Sequence, residues 1–175
     1  SLVFHLLDVA QVVLALWDHA LPDSTRRYFA EKLRMEHESA RVWLGVIAAL
    51  HDLGKACPPF QGSYLPAKLM LSGALSFSST GDVRTPHGWV TAYALRDLLP
   101  RQLGMDRPVA RQIAYTVGGH HGVFPSTRNL DELGPARRGG QDWESVREDL
   151  FEALAGLLDV RTLPPWPLYT ADAPA

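Results

Sequence analysis

Apolar side chains recur at helical spacing along nearly the whole chain. Val3, Leu6, Leu7, Ala10, Val13, Leu14 and Trp17 fall three or four residues apart, which predicts an amphipathic helix over about residues 2–19. Pro22-Asp23-Ser24 breaks it, and Ser24 is placed to cap a short helix from Thr25 to about Met35. Val42, Trp43, Val46, Ile47 and Leu50 predict a second long helix from Glu36 to about Ala56, ended by Pro58-Pro59.

Phe60 to Leu71 reads as a short helical piece broken near Pro66, and the Ser- and Gly-rich stretch from Ser72 to Thr85 as a mobile loop. Pro86 is placed as the first residue of a helix carrying Val90, Tyr93, Ala94, Leu95 and Leu98, which Pro100 ends. Pro108 opens another helix, through Val109, Ile113 and Val117, that runs into Gly118-Gly119-His120-His121-Gly122. Phe124 to Gln141 has the character of a surface loop, after which Asp142 caps a last helix with Val146, Leu150, Leu154, Leu157 and Leu158. No segment alternates with period two and no repeat occurs, so the expectation is an all-α bundle of about six helices.

Length and composition narrow this picture. At 175 residues the chain suits one domain, expected over residues 1–160, with a Pro-rich C-terminal tail at 161–175. Hydrophobic residues make up 46% and charged residues 21%, which excludes a disordered class. No apolar run is read as reaching the roughly 20 residues of a bilayer span, and no leader is evident, so a cytoplasmic protein without membrane attachment is expected. Cys57 is the single cysteine, which rules out an internal disulfide and a thiolate zinc cluster. Net charge is -2, so a polyanionic substrate would depend on local arginines and bound cations. The start at Ser1 and the stop inside a Pro-rich stretch lead to the expectation of a fragment.

The candidate chemistry centres on His51-Asp52-Leu53-Gly54-Lys55. Neighbouring side chains splay by about 100° on a helix, so His51 and Asp52 can grip one metal from two sides or bridge two. His5, His87, His120 and His121 also fall at element ends or beside glycines, giving six N and O ligands with His51 and Asp52. Imidazoles beside a carboxylate suit transition metals better than calcium. Two ions bridged by Asp52 would explain so many ligands, and such a pair hydrolyses phosphoesters. Each piece taken alone has an ordinary alternative. His51-Asp52 could be a satisfied buried pair, His120-His121 a helix end, His5 a core histidine, His87 a helix-start residue, and Lys55 a cation favoured by the helix dipole. Asp8 could orient His5 or be a surface acid, and His19 and His37 are read as structural.

These residues resemble the HD phosphohydrolase superfamily, and more closely the HD nuclease domain of the CRISPR-associated helicase-nuclease of type I interference systems. The resemblance rests on His5-Leu6-Leu7-Asp8-Val9-Ala10, on His51 through Lys55 extended to Phe60-Gln61, and on Gly119-His120-His121-Gly122, with His87 between them. It implies a compact helical bundle around a central metal site. His5, His51 and Asp52 would hold one ion; Asp52, His87, His120 and His121 would hold the other. Asp52 and Lys55 would be the catalytic residues. It further implies one or two divalent ions (Mn, Fe, Co, Ni or Zn, with Mg also allowed), cleavage of single-stranded DNA, a helicase domain or subunit, and a guide-RNA surveillance complex. The family also supplies a late aspartate in an Ala-Asp-Trp-like setting. Only Asp172 and Asp159 are candidates here, so that residue is expected beyond Ala175.

Two competing functions remain at this stage. One is an HD phosphohydrolase acting on nucleotides or cyclic dinucleotides, although Gly122-Val123-Phe124-Pro125 departs from the Gly-Tyr-Pro of the cyclic-dinucleotide branch. The other is a non-catalytic docking module with a vestigial metal site.

Overall fold

The computed structural model describes residues 1–77, 85–164 and 166–167. Among them lie ten α-helices and two 3₁₀ segments, and no strand. The order is α1 (Leu2–His19), α2 (Asp23–Leu33), α3 (His37–Ala49), a 3₁₀ segment (Leu50–Lys55), α4 (Pro58–Gly62), α5 (Leu65–Leu71), α6 (His87–Leu103), α7 (Arg107–Gly118), α8 (Thr127–Asp131), α9 (Pro135–Arg138), α10 (Gln141–Leu157) and a 3₁₀ turn (Val160–Thr162). The all-α expectation holds.

The core forms where the apolar stripes of α1, α3, α6, α7 and α10 meet. Leu6, Ala10, Trp43, Val46, Leu95, Leu99, Ala110, Ala114, Phe151 and Leu154 are buried in one cluster. Helix α1 packs on α3, while α6 packs on both α7 and the Leu50–Lys55 segment. By length and composition alone α1, which the sequence reading did not count as a span, is apolar enough to cross a membrane. In the fold its Leu6, Ala10 and Trp17 are core residues. Trp166, within the stretch expected to be a tail, packs edge-on against Trp43 at 5.2 Å.

Several boundaries differ from expectation for identifiable reasons. The helix from Glu36 does not reach Ala56 as one α-helix. It stops at Ala49 and tightens to 3₁₀ geometry, because the His51 carbonyl and Gly54 amide bond to Thr91 of α6 in place of α-helical partners. Pro58-Pro59 and Pro66 open α4 and α5, where a missing N–H costs nothing. Pro86 is the N-cap residue of α6, and the helix itself begins at His87. Pro100 does not end α6. The buried Leu98 and Leu99 and the packed Leu103 hold one more turn, which Gly104 terminates at φ 64°.

Ser24 lies inside α2, which starts at Asp23 after Pro22. The stretch read as a loop from Phe124 to Gln141 contains α8, with a Ser126–Asn129 capping box, and α9. Asp142 sits in the first turn of α10, where it accepts the Ser76 amide at 2.6 Å and the Trp143 amide at 2.9 Å. Those bonds tie down part of the stretch expected to be a mobile loop; its residues 78–84 lie outside the described residues.

Candidate metal centre

Four separate elements deliver the site. Helix α1 presents His5 on the turn before its buried Ala10. The 3₁₀ segment presents His51, Asp52 and Lys55 within five residues. Helix α6 opens with His87, and the turn that follows α7 carries His120 and His121. Small residues allow this closeness. A Cβ on Gly88 would lie 2.3 Å from the Gly118 oxygen, so α6 and α7 touch backbone to backbone beside the two histidine-bearing ends.

Asp52 is the hub, with a side chain only 3% exposed. Its Oδ2 faces His5 Nε2 at 2.8 Å, His51 Nε2 at 2.9 Å and Lys55 Nζ at 2.5 Å. Its Oδ1 faces His87 Nε2 at 2.9 Å and His120 Nε2 at 3.5 Å. His121 Nε2 closes the second set at 3.1 Å from His87 Nε2. The two carboxylate oxygens thus address two groups of rings. The ligand atoms of His5, His51 and Asp52 lie within 4.8 Å of one another, as do those of Asp52, His87, His120 and His121.

Protonation follows from this geometry. Burial alone would raise the Asp52 carboxyl, but the nitrogens of His51, His87, Lys55 and His5 gathered round it outweigh that and hold the group far below the usual carboxylate range. The Asp52 hydrogen bond raises His51, against an opposing effect of burial. Burial lowers His120. His51 Nδ1 donates to the Ala48 carbonyl and His120 Nδ1 donates to the Val117 carbonyl, each at 2.8 Å. Those bonds place a proton on each Nδ1 and turn the Nε2 atoms into the site, where the neutral rings would offer lone pairs to a cation.

This donor set fits a divalent cation. The buried Asp52 Oδ1 receives no directed hydrogen bond, although two imidazole nitrogens lie within 3.5 Å of it. The atoms are close, yet His87 and His120 are not aimed along a line that would satisfy that oxygen. Lone pairs converging on an anionic oxygen repel one another unless a cation lies between them, and imidazole with carboxylate suits transition metals.

All seven residues singled out from the sequence (His5, His51, Asp52, Lys55, His87, His120 and His121) are therefore brought together. His19 and His37 belong to neither ligand group. Asp159 also belongs to neither, and Asp172 lies outside the described residues. Sequence reasoning missed Thr91. Its buried hydroxyl donates to the His51 carbonyl at 3.0 Å and accepts the Gly54 amide at 2.8 Å. The available signal was its position one turn after His87. Gly54 lets the segment touch α6, since a Cβ there would lie 2.0 Å from the His87 oxygen.

A helical domain whose histidines and aspartate converge in this way defines the HD class. Residues 1–171 match the family described as "Cas3, HD domain". The chain is 36% identical over 156 residues to the CRISPR-associated endonuclease/helicase Cas3 of Thermus thermophilus, covering 86% of this chain and 16% of that protein. Among solved structures, T. fusca Cas3 superposes with a TM-score of 0.79 at 31% identity, covering 96% of this chain and 18% of that one. The Thermus thermophilus Cas3 HD domain in the presence of Ni2+ superposes with a TM-score of 0.70 at 29% identity, covering 95% of this chain and 63% of that one. The chain belongs to the Cas3 HD-domain family. It spans about one sixth of the length of the Thermus relative.

Proposed function

We propose that this chain is a metal-dependent phosphodiesterase that cleaves single-stranded DNA during type I CRISPR interference. It would act with a helicase domain or subunit and with a guide-RNA surveillance complex. The observation that carries the reading is Asp52, whose Oδ2 and Oδ1 each face a separate group of imidazoles. Family membership and the helicase-nuclease names of the relatives support the substrate class.

His5, His51 and Asp52 would hold one ion, and Asp52, His87, His120 and His121 the other, drawn from Mn, Fe, Co, Ni or Zn, with Mg also allowed. When bound, such a pair lowers the pKa of water and neutralises charge on phosphoryl oxygens. Asp52 stays ionised in this environment and keeps the two ring groups in register. Ala48 and Val117 orient the His51 and His120 rings through Nδ1. Lys55 places its ammonium 2.5 Å from Asp52 Oδ2, where it can meet charge that builds on a scissile phosphate.

A nucleotide hydrolase would favour an enclosed, arginine-lined site. Here the His5 side chain is 45% exposed, so the cluster lies open along one edge. The cavity of about 240 Å³ lined by Arg96, Arg101 and Arg147 contains none of these histidines. The test is incubation of single-stranded DNA with this chain and Mn2+, Ni2+ or Co2+, beside Asp52→Ala. Cleavage by the wild type alone is expected. Equal cleavage by Asp52→Ala, or greater turnover of free nucleotides than of oligonucleotides, would contradict the proposal.

A further inference from the structure

We infer that Phe60, beside His87, and Phe124, on the turn that carries His120 and His121, are nucleobase-stacking platforms, which makes the site selective for strands with unpaired bases. This rests on the nuclease reading and names how the strand is gripped.

Phe60 belongs to the short helix α4 directly after the Asp52 segment. Its ring centroid lies 5.5 Å from that of His87 at an interplanar angle of 73°, and Lys55 Nζ lies 5.3 Å from it. The residue nevertheless remains 38% exposed. Phe124 lies three residues beyond His121 and is 64% exposed. Its ring is seated on the backbone of Gly119, where a Cβ would come within 2.2 Å of the ring. Gly119 therefore serves as a flat bed that only glycine provides, and Phe124 is held against it with much of its surface towards water.

Leaving two large aromatic side chains open to water forgoes hydrophobic stabilisation, and here one packs against His87 while the other lies three residues beyond His121. Every nucleobase has a π-face, so stacking on such rings tolerates sequence while requiring bases that are free of a duplex. Electrostatics agree, because the chain's net charge of -2 gives no long-range pull on a polyanion. Local grip must then come from contacts at the site, with Lys55 and bound cations taking the phosphate and the rings taking the bases.

The test separates binding from turnover. Fluorescence anisotropy would measure the affinity of a short labelled oligothymidylate, and of the same strand made abasic, for wild type, Phe60→Ala, Phe124→Ala and the Phe→Trp version of each, with Ca2+ replacing the reactive metal. Circular dichroism checks that each variant is folded. The expectation is a loss of about tenfold in affinity for each alanine variant on the normal strand, recovery with tryptophan, and no further loss on the abasic strand, which wild type already binds weakly. Wild-type affinity that is equal for the two strands, or an alanine variant that loses the same factor on both, would overturn the inference. Cleavage in Mn2+ is scored separately: a wild type that binds with this base dependence yet cuts nothing would count against the nuclease reading and leave the stacking inference standing.

Discussion

Gly54 and Thr91 are locked together: the Gly54 amide donates to Thr91 Oγ1 at 2.8 Å, and a Cβ on Gly54 would fall 2.4 Å from the Thr91 nitrogen. The same hydroxyl donates to the His51 carbonyl at 3.0 Å. One buried side chain on α6 thus sets the path of the 3₁₀ segment that carries His51, Asp52 and Lys55, and does so four residues after His87 on the same helix. Two of the elements that build the site are fixed to each other through this contact.

Thr91→Val tests that lock with little change in shape. It leaves the Gly54 N–H and the His51 carbonyl without partners in a buried place, which costs about 1–3 kcal/mol for each such group. A lower melting temperature and weaker divalent-metal binding are expected together, with Thr91→Ser restoring most of the metal affinity. Calorimetry on the three proteins checks this.

Gly54→Ala is expected to be more damaging than an ordinary glycine substitution. The new methyl group would meet backbone atoms of His87 and Thr91 at 2.0 and 2.4 Å, and neither atom can move without shifting α6. Thermal unfolding should show a loss of cooperativity or no folded protein, whereas Gly156→Ala, at a glycine with open space around it, should behave as wild type.

Arg147 is a buried guanidinium, 1% exposed, whose Nη1 donates to the Ala56 and Arg138 carbonyls at 2.7 Å each. Burial pulls its pKa down to about 10. Arg147→Met strips both carbonyls of their donor while removing a desolvated charge, and the first effect is expected to win, by about 2 kcal/mol. Chemical denaturation measures it. Since Ala56 directly follows Lys55, a fall in metal affinity should accompany the loss of stability.

Cys57 is fully buried, and burial raises its thiol above the ordinary range against weaker opposing effects from the Phe60 backbone and Arg147. A folded-state pKa above the unfolded value contributes stability that is complete below the unfolded pKa and is lost as pH rises through the folded one. Stability should therefore decline above about pH 9, less steeply in Cys57→Ala. At pH 8 a disulfide reagent should react only as fast as the protein opens, and at once in denaturant.

The ligand-bearing residues were legible in the sequence because each is a chemically distinctive type at an element end: His87 behind Pro86, His120-His121 between glycines, His51-Asp52 at the close of an apolar stripe. The convergence of those ends was legible only through family resemblance, since no spacing encodes a contact between residues 5 and 52 or 87 and 120. Thr91 offered only its position one turn after His87. A threonine inside a helix has no local mark of donating to one residue and accepting from another some forty positions away; only the packing of α6 on the 3₁₀ segment assigns it. The prolines misled for the opposite reason. Pro58, Pro66 and Pro100 were read by their local cost, while Pro58 and Pro66 open helices and tertiary packing carries α6 past Pro100.

The most direct measurement is the number of divalent ions bound per chain, by elemental analysis and titration calorimetry with Mn2+ or Ni2+, across wild type, His5→Ala, His121→Ala and Asp52→Ala. With Asp52 shared between two ring groups, wild type should bind about two ions, each histidine variant about one, and Asp52→Ala close to none. Full stoichiometry in Asp52→Ala would contradict the shared-carboxylate account.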